Sequence, residues 1–114
     1  MKEPQHRGGA YVALAKALTK RPSANNLAAE IMHHEGLDLE FYSPHLVDLQ
    51  QPHERDELYV IARGNGVLEV EGERFAFAEG DVLYVPALAE HRFTDFSNDF
   101  GTWVMFFGSP HEAA

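Results

Sequence analysis

The chain has 114 residues, of which 45% are apolar and 24% charged, and this is the composition and length of one soluble globular domain. Nine basic against 18 acidic residues give a net charge of -9, which makes nucleic acid and membrane surfaces poor partners. The absence of cysteine excludes disulfides, thiolate metal sites and a cysteine nucleophile. No apolar run near the amino terminus approaches membrane-spanning length, so we expect a cytoplasmic protein.

Residues 10–18 (AYVALAKAL) predict one short amino-terminal helix, because they are rich in helix formers and place Tyr11, Leu14 and Leu18 on one face. After Pro22 the pattern changes. LDLEFY at 37–42 alternates with period two and predicts a strand. Residues 27–33 are expected to form its hairpin partner, although AAEIM within them is also compatible with a helix.

From residue 46 onward short apolar segments alternate with turn residues, which is typical of an all-β sandwich or barrel. We therefore predict one domain, with residues 1–26 as an amino-terminal segment and residues 27–110 as the barrel. Beyond residue 46 we predict strands at 57–62, 67–71, 74–78, 82–85, 91–96 and 102–107.

Four side chains share one parity around position 55, and two of them, His53 and Glu57, are good ligands for a first-row metal ion. If this segment is extended, Gln51, His53, Glu57 and Tyr59 project to the same side of a sheet. An imidazole and a carboxylate leave a divalent ion under-coordinated, so a second histidine from another strand is needed. His91, which opens a predicted strand, is the candidate.

Each of these residues also has a simpler interpretation. His53 lies in a polar stretch and is compatible with an ordinary surface position. A register slip of one residue would turn Asp56 inward instead of Glu57. His91 is compatible with a turn residue beside Glu90. Four other histidines, which lack a spaced partner, are predicted to be surface groups: His6, His33, His34 and His45. His111 lies near the end of the chain.

The segments PHERDELYVIARGNG and EGDVLYVPALAEHRF resemble the two consecutive motifs of the cupin family, over roughly residues 45–107. The positions that match the motifs are His53, Glu57 and Gly64 in the first and Gly80, Pro86 and His91 in the second. The positions that depart are His45, Gln51, Leu88 and Asp95, with Gln51 standing where the first motif has its leading histidine.

The resemblance implies a double-stranded β-helix, a jelly-roll-like barrel, that usually pairs as a homodimer. It implies His53, Glu57 and His91 as ligands of one divalent transition-metal ion, with iron, manganese, nickel and zinc not distinguished. The Gln51 amide is a weaker donor than imidazole, and three roles are open to it: coordination as a fourth ligand, a hydrogen bond to a bound water, or no contact at all.

Cupin resemblance favours a metal-dependent enzyme of oxygenase, isomerase or lyase type that acts on a small polar or carboxylate-bearing molecule, with Tyr59 as a proton donor. The alternative is a non-catalytic barrel that captures or senses a small ligand. A third possibility is a degenerate, empty site, which the departures at Gln51 and Leu88 keep open.

Overall fold

The computed structural model describes residues 8–22 and 27–110, so His6 and His111 lie outside the described residues. Within these ranges the chain forms one helical turn and eight strands, in the order α1 (Leu14–Ala17), β1 (Ala29–His34), β2 (Leu37–Tyr42), β3 (Asp56–Arg63), β4 (Asn65–Val70), β5 (Glu73–Ala78), β6 (Val82–Val85), β7 (His91–Thr94) and β8 (Gly101–Phe107). The described helix is a single turn and cannot cross a membrane.

The helix is shorter than the predicted span of 10–18. Its N-cap, Ala13, has no side chain that could accept a hydrogen bond from the first turn, and the first turn carries no acidic residue. A helix without caps does not offset the cost of nucleation over a few residues. The turn is held at one point, where Ala17 is buried.

The strands form two antiparallel sheets. The five-stranded sheet has the order β1-β2-β8-β3-β6, and the three-stranded sheet has the order β5-β4-β7. The predicted hairpin of residues 27–33 with LDLEFY is confirmed, because β1 pairs with β2, and the helical alternative for AAEIM is wrong. These sheets confirm the all-β cupin-like barrel that the sequence predicts.

Backbone angles explain where several strands end. Glu71 (φ 49°) and Gly72 (φ 85°) are both left-handed, as a tight two-residue turn between β4 and β5 requires, so β4 stops at Val70. Asp95 (φ 51°) ends β7 before the predicted Phe96. Gly64 combines a φ of 85° with close packing, since a Cβ there would lie 2.8 Å from Phe100 Cα.

The core lies between the two sheets and is rich in aromatic side chains. Phe93 of β7 is its centre: its ring centroid lies 4.8 Å from that of Tyr59 on β3 and 4.8 Å from that of Phe100. Phe77 of β5 packs edge-on against Phe93. Trp103 lies outside this core and contacts Phe41 on the other face of the five-stranded sheet.

Arg55 fastens the segment before β3 to the end of the barrel. Its guanidinium pairs with Asp38 and donates to the carbonyls of Gly108 (3.0 Å), Gly36 (3.1 Å) and Phe106 (3.1 Å). The planar fork thereby joins the β1–β2 turn to the end of β8.

Arg55→Lys is expected to lower the free energy of unfolding by about 1–2 kcal/mol, because lysine keeps the charge but cannot reach all four oxygens. Urea denaturation monitored by circular dichroism measures this difference. Arg92→Lys, at an exposed arginine of β7, is the matched control and is expected to change it by less than about 0.5 kcal/mol. Equal effects of the two substitutions would show that the fork contributes nothing.

Candidate metal centre

The structure brings the three predicted ligands together at the junction of the two sheets. Glu57 lies on β3 of the five-stranded sheet, His91 is the first residue of β7 in the three-stranded sheet, and His53 precedes β3. One ligand atom from each of them lies within 4.8 Å of the others. Glu57, and not Asp56, is the inward carboxylate, because Glu57, Tyr59 and Ile61 alternate as buried residues along β3.

The distances within this cluster suit one shared ion. His91 Nε2 lies 2.9 Å from Glu57 Oε1, and His53 Nε2 lies 3.9 Å from Glu57 Oε2. The ring centroids of the two histidines are 5.3 Å apart. Glu57 and His91 are buried, whereas His53 is half-buried and forms the outer side of the cluster.

The tautomer of His91 is fixed by its neighbour in the chain. Its Nδ1 lies 2.9 Å from the carbonyl oxygen of Ala89, which can only accept, so Nδ1 carries a proton and donates it. In the neutral ring the lone pair is then on Nε2, the atom that faces Glu57. This backbone contact to the far nitrogen is the usual support of a metal-binding histidine.

The burial and the donor atoms of this cluster suit a divalent cation. Glu57 Oε2 is buried and accepts no hydrogen bond among the described residues, and the buried His91 Nε2 faces the other oxygen of the same carboxylate, Glu57 Oε1, at 2.9 Å. Buried polar atoms without partners cost free energy, and a carboxylate costs more than a neutral group. Two imidazole nitrogens and one carboxylate are the donor set that iron, manganese, nickel and zinc accept.

Burial and charge act differently on the two histidines. Burial lowers the pKa of His53 and keeps its ring neutral, which is the form that coordinates a metal. Burial also acts to lower the pKa of His91, but the Glu57 carboxylate and the Ala89 carbonyl outweigh it, and the pKa is raised. The Glu57 carboxylate therefore favours a proton on His91, and a metal ion that binds His91 Nε2 has to compete with that proton.

Tyr59 supports Glu57. Its hydroxyl lies 2.8 Å from Glu57 Oε1 and donates to it, and the side chain is fully buried. Burial, followed by the charge of Glu57, raises its pKa well above the ordinary value. The contact gives Tyr59 a positioning role toward the carboxylate, and its predicted role as a proton donor stays a prediction.

The amide that contacts the cluster belongs to Gln50. Gln50 Oε1 lies 3.3 Å from His53 Nε2 and 3.2 Å from the Tyr59 hydroxyl. Gln51, the predicted fourth ligand, is exposed and makes no hydrogen bond among the described residues. The parity that selected Gln51 requires an extended segment, and residues 43–55 contain no strand. A ligand role for Gln51 stays a prediction.

A buried carboxylate that the sequence did not single out holds this irregular segment in place. Asp48 is 1% exposed and accepts hydrogen bonds from the Tyr42 hydroxyl and the Phe93 backbone N–H (2.8 Å). It also accepts from the backbone N–H and the side-chain amide of Gln50, both at 3.0 Å. Asp48 therefore joins β2 and β7 to the residue that contacts His53.

Two cavities meet at residues 50–52. One, of about 590 Å³, reaches His53 and is walled by the inward faces of β2 and β8. The other, of about 540 Å³, reaches His91 from the side of the three-stranded sheet. Both cavities are lined by the same three residues, Gln50, Gln51 and Pro52, which therefore separate them. A small molecule has room beside the cluster on either side of this segment.

Glu40 is a half-buried carboxyl in the wall of the first cavity. Burial, and then the charges of Glu30, Asp38 and Glu57, raise its pKa from 4.5 to about 7. A carboxyl whose pKa is raised by folding destabilises the folded state when ionised. This cost begins as pH rises above the unfolded pKa and is complete above pH 7.

Glu40→Gln is accordingly expected to raise the free energy of unfolding by about 1–2 kcal/mol at pH 8, after discounting for solvent screening, and to leave it nearly unchanged at pH 4.5. Urea denaturation at both pH values measures the difference. Glu79→Gln, at an exposed turn residue, controls for the loss of one negative charge. The same gain at both pH values would contradict the explanation.

The fold and this site define the class of protein. The sequence matches the cupin domain family over residues 39–106, and the chain belongs to that family. It is similar to the uncharacterized protein SCO3923 of Streptomyces coelicolor, with 39% identity over 66 residues. That match covers 58% of this chain and 61% of the relative, less than two thirds of its length.

Solved structures share the fold at low sequence identity. A protein of unknown function from Rhizobium leguminosarum superposes with a TM-score of 0.71 at 15% identity, over 91% of this chain and 99% of that chain. KdgF from Halomonas sp. superposes with a TM-score of 0.62 at 22% identity, over 75% of this chain and 78% of that chain.

Proposed function

We propose that this cupin is a metal-dependent enzyme that acts on a small polar or carboxylate-bearing molecule, with one divalent transition-metal ion held by His53, Glu57 and His91. The observation that carries the proposal is the buried Glu57 Oε2, which accepts no hydrogen bond among the described residues and lies beside His91 in a cluster that opens into a cavity. A closed structural site would have no use for such an opening.

The residues of the cluster and their neighbours have different roles in such a site. His91, fixed by the Ala89 carbonyl, and Glu57, fixed by the Tyr59 hydroxyl, supply the rigid ligands. His53 faces the cavity, and Gln50 Oε1 lies 3.3 Å from its Nε2. A bound ion would supply a Lewis acid or a dioxygen site. Oxygenase, isomerase and lyase chemistry are all compatible with this arrangement.

Elemental analysis of protein purified without a histidine tag or chelator tests the metal site. We expect near-stoichiometric iron, manganese, nickel or zinc in the parent, and its loss in a His53→Ala, His91→Ala double variant. A His34→Ala, His45→Ala variant removes two exposed histidines outside the cluster and should keep the metal. No metal in the parent, even after reconstitution, would contradict the proposal.

A folded His53→Ala variant then separates catalysis from capture. An enzyme that depends on the metal loses turnover, whereas a metal-independent binding barrel keeps its affinity for the ligand. A variant that retains affinity and a parent that shows no turnover would favour the non-catalytic barrel.

The family resemblance also leads us to propose a cytoplasmic homodimer built from one domain, with residues 27–110 as its barrel. Exposed apolar side chains on the edge strand β6 support pairing, since Val82 is 60% and Tyr84 52% exposed. Light scattering coupled to size-exclusion chromatography measures the mass of the particle.

A further inference from the structure

Glu40 faces the cavity beside the candidate metal centre without a partner. It lies on β2 opposite Val104 of β8, which in turn lies opposite Tyr59 of β3, so its side chain shares the inward face of the sheet. It lines the 590 Å³ cavity. Among the described residues its carboxyl takes part in no hydrogen bond or ion pair.

Apart from Glu54, which is exposed, the other charged groups of this cavity wall are committed elsewhere. Asp38 is paired with Arg55 and His33, and Arg55 has all its bonds to that carboxylate and to backbone carbonyls. His53 belongs to the metal cluster. Glu40 is thus the half-buried ionisable side chain of the wall that has an unengaged carboxyl to offer a bound molecule.

Acidic neighbours make it hard for Glu40 to ionise. Glu30 lies directly opposite on β1, Asp38 lies two residues earlier on β2, and Glu57 lies on β3. Arg55 and His53 are the basic groups that line the same cavity. Burial and the acidic neighbours raise the pKa of Glu40 to about 7, so both protonation states are populated near neutral pH, as a proton-transfer group requires.

We propose that Glu40 contacts the ligand in this cavity and exchanges a proton with one of its oxygen atoms. In one direction the O–H bond of the Glu40 carboxyl breaks and an O–H bond forms on the ligand, which leaves Glu40 as a carboxylate; in the other direction the carboxylate takes the proton back. The transfer needs no oxidant or reductant. The inference rests on the proposed function, since it concerns a ligand held beside the metal cluster.

The role implies a preference for ligands with hydroxyl or carboxyl oxygens that also reach the metal. Protonated Glu40 donates to an anionic oxygen, whereas ionised Glu40 repels it. Oxalate, a chelating dianion at neutral pH, is therefore a suitable probe. Co²⁺ is a suitable metal, because its visible spectrum reports loading.

Isothermal titration of the Co²⁺-loaded protein with oxalate between pH 6 and pH 8 tests the proposal. For the parent we expect the Kd of oxalate to rise about tenfold more over this range than in Glu40→Gln, because only the parent gains a negative charge in the wall. Protonation of the metal ligands and of metal-bound water affects the parent and Glu40→Gln equally, so the difference between the two profiles reports on Glu40. Glu30→Gln should keep the parent's rise but move its midpoint to lower pH, because it removes a neighbouring charge and not the responding group.

Parallel profiles for the parent and Glu40→Gln would overturn the proposal while leaving the metal site intact. Failure of the parent to take up Co²⁺ would contradict the proposed function and this inference with it, and the visible spectrum distinguishes the two failures before any oxalate is added.

Discussion

A divalent transition-metal ion at a hundred times its Kd is expected to stabilise the folded protein by about 2.7 kcal/mol and to raise the midpoint of thermal unfolding by roughly 10 °C. Glu57→Gln should abolish this shift. The substitution preserves size but removes the negative charge that the buried cluster offers a cation. Since even residues that only support a ligand change metal affinity by about 10–100-fold, loss of this ligand should weaken binding by at least about 100-fold.

Differential scanning calorimetry with Zn²⁺ or Mn²⁺ measures both effects on protein first stripped of metal. Glu79→Gln, which removes the same charge from an exposed turn, should show the full shift of the parent. A full shift in Glu57→Gln would place metal binding somewhere other than this cluster.

Asp48→Ala is expected to lower the free energy of unfolding of the metal-free protein by about 3–5 kcal/mol. The substitution leaves the buried Tyr42 hydroxyl and the Phe93 N–H without an acceptor and releases Gln50. Because Asp48 holds in place the irregular segment that leads to His53, metal affinity should also fall, by about 10–100-fold. Urea denaturation and a metal titration measure the two losses separately.

Asp48→Asn provides a graded comparison, because one amide oxygen can still accept while the amide nitrogen cannot; we expect it to lose about half as much stability as Asp48→Ala. Asp99→Ala, in an exposed turn, should cost less than about 1 kcal/mol. If Asp48→Ala costs no more than this control, the carboxylate does not hold the segment.

The strands were predictable because their pattern is local. Period-two alternation identifies β2, and the left-handed pair at Glu71 and Gly72 accounts for the hairpin between β4 and β5. The cluster of His53, Glu57 and His91 was predictable for another reason. Its residues come from two sheets, and no local pattern predicts that they meet, but the spacing of the two cupin motifs identifies them.

The rest of the site depends on contacts between distant parts of the chain. Asp48 and Gln50 lie in a segment without regular secondary structure, where side-chain parity has no meaning. The partners that give Asp48 its role, Tyr42 and Phe93, lie on two different sheets. Glu40 was missed because an acidic residue in an alternating strand is expected to face water, whereas β2 turns this carboxyl toward the cavity.

Because the cluster takes Glu57 from one sheet and His91 from the other, an ion held there would cross-link the two layers of a chain that has no cysteine. A covalent bridge that closes a loop as long as that between His53 and His91 would stabilise a protein by about 3–4 kcal/mol. The site can form only after both sheets have docked, so metal uptake should come late in refolding and metal loss should precede separation of the layers.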